Sequence, residues 1–246
     1  MAFISKKMGQ FTYFSLQLGQ RDWSGKDVLD FGGNVGNILR DPNSTIDEAR
    51  YWCMDVSQEA IDSGRKSFPD SHWIVYDRNC FFFNPGGTPK LQLPRIAQGF
   101  DYIVAYSVFT NTLQSDMLEI VDELQLMLNP GGALAFTFID PHYMSWPDEY
   151  QGDNLEWRLE RERSLHPGLE IDIEQVKDKA RHARWFILVN GTDLFIESDE
   201  LPAYQDDQQR TCHVFYTEAY IKELFPNARV MPPANNEMQH CCIITR

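Results

Sequence analysis

Basic charge is what this sequence of 246 residues has least of: 22 Lys and Arg stand against 36 Asp and Glu, a formal net charge of −14. A protein that tracks nucleic-acid phosphates draws its affinity from Lys and Arg, so the imbalance argues against that class. It argues equally against docking on an anionic membrane. Long apolar runs are also missing, and nothing approaches the ~20 residues a membrane span needs. The opening MAFISKKMGQFTYFS has two lysines but no apolar core of a secretory signal. Cysteine is sparse: Cys53, Cys80, Cys212, Cys241 and Cys242. An odd number without C-x-x-C spacing excludes a disulfide framework and offers no zinc or redox motif. Free thiols in a reducing, cytoplasmic setting are expected. No metal-ligand spacing, internal repeat or low-complexity tract stands out.

What is present builds a core: 43% of the residues are apolar and 13% aromatic. The first half alternates short apolar runs with helical patterns, the mark of parallel βαβ units. Lys26–Phe31, Tyr51–Met54, His72–Tyr76, Phe100–Ala105 and Ala133–Ile139 read as strands. Ser57 caps a helix running to Lys66, and Ser115–Leu128 is amphipathic through Leu118, Val121, Leu124 and Met127. Asn129-Pro130-Gly131-Gly132 reads as that helix's stop. Residues 79–99 read as a loop insertion. Between 141 and 212 the rhythm breaks, with 16 acids against 8 bases. There, Asn154–Leu165 reads as a helix, and Trp185–Val189 and Asp193–Ile196 flank Asn190-Gly191 as a hairpin. Thr217–Leu224 closes the chain as a helix, followed by strands at Ala228–Met231 and Gln239–Thr245.

The chemistry gathers at strand ends. Strand, glycine turn and helix in succession make a site for a nucleotide-like cofactor, where Gly32 and Gly36 let the backbone approach the ligand. Asp55 lies 25 residues after Asp30, at the next strand's end. A carboxylate there can accept hydrogen bonds from both ribose hydroxyls, each worth ~1.5–3 kcal/mol. Asp30, Asp55, Asp77 and Tyr106 are all expected in the crevice along the strands' carboxyl ends. A dinucleotide frame needs G-x-G-x-x-G, and Gly32-x-Asn34-x-x-Asn37 keeps one glycine of it. Three aspartates suit a cationic cofactor better than a pyrophosphate.

Five segments, in order, resemble the class I S-adenosylmethionine-dependent methyltransferases, close to their small-molecule branch. They are Asp30-Phe31-Gly32-Gly33-Asn34-Val35-Gly36, MDVSQEAI from Met54 to Ile61, Asp77 in WIVYDRN, FDYIVAYSVF and LNPGGAL. The likeness covers about residues 20–140 and 213–246. It implies a Rossmann-like, doubly wound α/β fold with a seven-stranded, mostly parallel sheet, the last strand antiparallel. Residues 141–212 would form a substrate cap between strand 5 and the last helix, and residues 1–22 a lid helix, within a single domain of 1–246.

The resemblance also implies roles. Gly32, Gly33 and Gly36 would pass beside the cofactor's methionine part, with Asp30 nearby and the Asn34 amide projecting toward it. Asp55, with Val56 beside it, would hold the ribose. Asp77 and the Arg78 backbone would meet the adenine amine, and the Tyr106 backbone the methionine amino group. Where many relatives carry histidine after strand 4, this chain reads Val108-Phe109-Thr110-Asn111, so a base is unassigned. His142 and His213 are the candidates, although in-line methyl transfer needs a base only for a protonated nucleophile. Phe81, Phe82 and Phe83 are candidate pocket walls. The expected activity is methylation of a small-molecule acceptor at O, N or C by S-adenosylmethionine, without nucleic acid, membrane or metal. A cofactor-holding cyclase or lyase of the same fold, or a non-catalytic partner subunit, remains the alternative.

Overall fold

The computed structural model describes residues 8–80, 83–144, 152–168, 170–202, 211–234 and 238–246. A sheet of seven strands runs in the order β3-β2-β1-β4-β5-β10-β9. Its members are β1 (Val28–Phe31), β2 (Tyr51–Asp55), β3 (His72–Val75), β4 (Phe100–Ala105), β5 (Leu128–Phe138), β9 (Arg229–Met231) and β10 (His240–Thr245). Strands β1 to β5 pair in parallel, and β10 is antiparallel to both β5 and β9. This is the expected Rossmann-like sheet with a reversed last strand.

Strands buried on both faces divide their side chains by alternation. In β1, Leu29 and Phe31 enter a cluster with Met117, Val121 and Leu124 of α3 (Gln114–Leu126). On the opposite face, Val28 packs with Ile61 of α2 (Gln58–Ser67) and with Phe11 and Phe14 of α1 (Gln10–Leu18). Asp30 is on that second face and is 2% exposed. The hairpin forms as expected, β6 (Trp185–Val189) with β7 (Asp193–Ile196), and Asn190 and Gly191 take positive φ. Strand β8 (Cys212–Tyr216) adds to β6, giving a small sheet β7-β6-β8. Every residue of β6 is buried. Trp185, Ile187 and Val189 face the main core, while Phe186 and Leu188 pack under α4 (Asn154–Leu165) and α5 (Ile173–Ala180).

Three expectations need correction. First, no helix follows the glycine turn, and residues 34–40 run through successive turns. Asn34 and Gly36 both adopt positive φ, 54° and 78°, and Pro42 follows too soon for a helix to propagate. Second, Asn129–Gly132 is no helix stop. It bulges out within β5, whose Leu128 pairs with Phe100 and whose Ala133 pairs with Tyr102. Third, α5 and β8 form where no element was expected. In α5, Ile173, Val176 and Ala180 recur at helical spacing behind an Asp172 cap, a signal present in the sequence. The remaining α6 (Glu218–Leu224) is capped by Thr217 as expected.

Candidate functional site

The carboxyl ends of β1, β2 and β4 open on a cavity of about 480 Å³. Phe31 and Gly32 come from β1 and its turn; Met54, Asp55, Val56 and Ser57 from β2 and the α2 cap; Tyr106, Ser107 and Val108 from beyond β4. Such a volume is in the range of small-molecule sites. Gly32 must be glycine on two counts. Its φ is +71°, and a Cβ there would lie 2.3 Å from Val108 Cγ2.

Asp55 is organised by backbone. Its Oδ2 accepts from Asn34 N at 2.8 Å and its Oδ1 from Ser57 N at 2.8 Å. Each carboxylate oxygen has a second acceptor direction, so the two hydroxyls of a ribose can still be met. The amide of Asn34 therefore fastens the glycine turn to β2, and its residue lines the cavity.

Asp30 lies beneath the turn instead of on the cavity wall. It accepts from the Tyr51 hydroxyl at 2.7 Å, and a Cβ on Gly33 would meet its carboxyl at 2.6 Å and Cys53 Sγ at 2.7 Å. Burial pushes its pKa up to about 7, against the Tyr51 hydrogen bond, with the Asp55 charge adding to the rise. Burial likewise pushes the Tyr51 phenol and the Cys53 thiol upward. Gly36 also faces away from the cavity, because the position of a Cβ there is 3.0 Å from Trp73 and 3.4 Å from Phe68.

At the β3 end the placement differs from expectation. Asp77 is exposed and points into the following loop, where its Oδ1 accepts from Asn84 Nδ2 at 3.0 Å and its carbonyl from Thr88 N at 2.7 Å. Tyr76, Arg78, Asn79 and Cys80 line the cavity instead. The Arg78 guanidinium, 3% exposed, reaches Asp116 at 2.5 Å, Glu119 at 2.9 Å and the Leu91 carbonyl at 3.0 Å. Burial disfavours its charge, but hydrogen bonds with Glu119, Tyr76 and Asp116 outweigh that and hold it ionised. Asp116 joins the cavity wall from α3. Nothing in a sequence joins Arg78 to an acid 38 residues away, so the pair escaped the motif reading.

Beyond β4, Ser107 N donates to Thr137 Oγ1 at 2.7 Å, Thr137 Oγ1 to Gln239 Oε1 at 2.5 Å, and Gln239 Nε2 to Ser107 Oγ at 3.2 Å. This closed polar ring holds Ser107 at a φ of +60° beside Tyr106. Asn111, also on the cavity wall, donates to the Cys212 carbonyl and so ties the post-β4 segment to β8. From α1, Gln10 lines the cavity, and Tyr13 and Phe14 meet the Tyr106 ring edge-on at 5.5 and 6.1 Å.

Neither candidate base lines this cavity. His142 is exposed, in a turn where its N–H donates to Asp140 Oδ1 at 2.8 Å. His213 alternates with Cys212 and Val214 on β8 and so faces α4, with Nε2 3.6 Å from Glu162 Oε1. Burial lowers its pKa, only partly offset by Glu162. Phe83 lines the cavity while 60% exposed; Phe81 and Phe82 are outside the described residues.

A parallel sheet with a reversed terminal strand, and a cavity across the ends of β1, β2 and β4, define a Rossmann-like methyltransferase fold. Residues 29–134 match the family described as methyltransferase domain. Three solved structures show the same fold. The PH0226 protein from Pyrococcus horikoshii aligns at 13% identity over 94% of this chain and 86% of its own, with a TM-score of 0.53. A methyltransferase dependent on S-adenosylmethionine from Mesorhizobium loti aligns at 15% identity over 97% and 99%, TM-score 0.51. The glycopeptide N-methyltransferase MtfA, complexed with S-adenosylhomocysteine, aligns at 10% identity over 99% and 91%, TM-score 0.51. The chain thus has the fold of these proteins, and its residues 29–134 are similar to the methyltransferase domain.

Proposed function

We propose that this protein binds S-adenosylmethionine in the cavity and methylates a small-molecule acceptor. The observation that carries the reading is Asp55, a carboxylate oriented by two backbone N–H groups at the mouth between β1 and β2. When bound, the cofactor supplies a methyl carbon activated by a cationic sulfur, and S-adenosylhomocysteine is the coproduct.

The residues present fit that group. Asp55 accepts from the ribose. Gly32 leaves backbone exposed on the methionine side, and the Tyr106–Ser107 backbone, held by the Thr137–Gln239 ring, meets the amino group. Met54, Val56, Leu113 and Ile120 offer apolar walls for the adenine, with Arg78, Asn79 and Asp116 at its polar edge. We assign the adenine-reading role to this edge instead of to the exposed Asp77. Helix α1 closes the cavity from one side through Gln10 and excludes water. The 141–212 segment covers the acceptor side, fastened through Asn111 to Cys212. With neither histidine on the wall, alignment supplies the rate enhancement, and ~7–11 kcal/mol is available from that source.

Calorimetric titration tests the cofactor. S-adenosylmethionine and S-adenosylhomocysteine should both bind the wild type. In Asp55→Ala the loss of charge-assisted bonds should weaken them by about 1.5–3 kcal/mol, ~10- to ~150-fold. Absence of binding to folded wild type, or an unchanged affinity in the variant, would sink the ribose assignment. A screen of small-molecule acceptors scored by methylated product tests the transfer.

A further inference from the structure

Three buried side chains decide where the proton of the Ser107 hydroxyl points. Thr137 Oγ1 accepts from Ser107 N and gives its only proton to Gln239 Oε1. That orients the Gln239 amide, whose Nε2 donates to Ser107 Oγ at 3.2 Å. On its other side Ser107 Oγ meets Thr110 Oγ1 at 3.0 Å. Thr110 Oγ1 is also 3.0 Å from the Ser107 carbonyl and 3.0 Å from Asn111 Oδ1. Those two oxygens can only accept, so the Thr110 proton is theirs. The proton between the two hydroxyls is therefore supplied by Ser107.

A hydroxyl has one proton and two lone pairs. Ser107 spends its proton on Thr110 and one lone pair on Gln239, which leaves one lone pair without a partner among the described residues. Thr110, Thr137 and Gln239 are 2%, 0% and 5% exposed, so solvent cannot re-set the chain of bonds. Ser107 itself is half-buried and lines the cavity. It therefore presents an acceptor there, not a donor. Its φ of +60° is a conformation that L residues seldom take and that functional sites often retain. The hydroxyl leans toward Thr110 and Asn111, the stretch bound to β8: Val214 N donates to the Thr110 carbonyl at 2.7 Å, and Asn111 Nδ2 to the Cys212 carbonyl. That is the side assigned above to the methyl acceptor.

Resting on the methyltransferase reading above, we propose that Ser107 Oγ accepts a hydrogen bond from the reacting group of the methyl acceptor, and that this group is a neutral nitrogen bearing an N–H. A thiolate or carboxylate offers only lone pairs and would face another lone pair at Ser107. The wall's two carboxylates are engaged, Asp55 by Asn34 N and Ser57 N, and Asp116 by Arg78. A hydroxyl accepts a hydrogen bond without removing the proton, so the nucleophile must react while still protonated, as neutral nitrogen does. The nitrogen lone pair forms the N–C bond to the methyl group as the S–C bond breaks and its electron pair returns to sulfur. The nitrogen becomes cationic and afterwards gives its proton to solvent. Its bond to Ser107 thus grows from neutral to charge-assisted during the transfer, an interaction that favours the transition state over bound substrate.

The test uses ring pairs of one shape in which an N–H donor is exchanged for an oxygen acceptor, pyrrole with furan and indole with benzofuran. Affinities are measured by ligand-observed NMR on the full chain, with and without saturating S-adenosylhomocysteine. With S-adenosylhomocysteine bound, wild type should hold the N–H member of each pair ~2- to ~10-fold tighter, the strength of one neutral hydrogen bond. Ser107→Ala should abolish that preference. Thr110→Val removes the oxygen that takes the Ser107 proton, frees the hydroxyl to donate into the cavity, and should shift the preference toward furan and benzofuran. Probes that fail to bind, pairs that bind alike in wild type, or a preference that persists in folded Ser107→Ala would overturn the proposal. So would a preference seen only without S-adenosylhomocysteine, since the lone pair would then belong to the cofactor's ammonium. Failure of wild type to bind S-adenosylhomocysteine would strike the cofactor assignment instead, because the comparison of pairs is also read without it.

Discussion

Replacing Asp30 by Asn isolates the energetic effect of a carboxyl group buried under the glycine turn. Asn keeps the shape and an oxygen that can accept from Tyr51, but it cannot ionise. In the wild type the folded-state pKa is raised to about 7, chiefly by burial. An unfolded Asp titrates near ~3.9. Between those values the folded state holds a proton that the unfolded state has lost, so stability falls as pH rises, by about 1.4 kcal/mol per unit. The loss begins near the unfolded pKa and ends as pH passes the folded one. Integrated between pH 5 and pH 8, this amounts to roughly 2–3 kcal/mol. Urea unfolding of wild type and Asp30→Asn across that range cancels every other titration common to both. The stability of the wild type relative to Asp30→Asn should therefore decline by that amount and level off above pH 8. Parallel curves, or a wild type that gains on the variant as pH rises, would refute the reasoning and show the carboxylate to be stabilised in place.

Gly33→Ala should destabilise the fold by about 1–3 kcal/mol in urea unfolding, because its Cβ would press on Asp30 and Cys53 inside a closed interior. Little change would mean that β1 and β2 can part at small cost. Arg78→Met should lower stability by about 1–3 kcal/mol and speed hydrogen exchange across residues 79–99, since Leu91 and the α3 acids lose their shared donor. Unaltered exchange there would show that the loop is held by other bonds.

No helix among the described residues is long and apolar enough to cross a membrane. The sequence determined most of what depends on near neighbours. Strands β1 to β4 are at the expected apolar runs to within two residues, because strands of a sheet covered by helices are mostly apolar along their length. Ser57, Asp153, Asp172 and Thr217 each cap their own helix from three residues away, a geometry written in local spacing. Asn190-Gly191 fixes its hairpin because both residues must take positive φ.

Only the tertiary structure decided what spans the chain. Helices α1 and α3 have no side-chain cap of their own. Asp41 serves the first through Thr12 N at 2.7 Å, and Asp199 the second through Gln114 N and Ser115 N at 2.9 and 2.8 Å. An Asp 85 residues distant leaves no trace in a local window. The same holds for the site. Asp55 was legible, since a strand end followed by a helix cap points its carboxylate at the glycine turn. Asp30 and Asp77 are likewise near the carboxyl ends of their strands, yet one is drawn under the turn by Tyr51 and the other outward by Asn84. A motif specifies where a residue sits along its strand; the hydrogen bonds of residues that folding brings beside it decide which way it points.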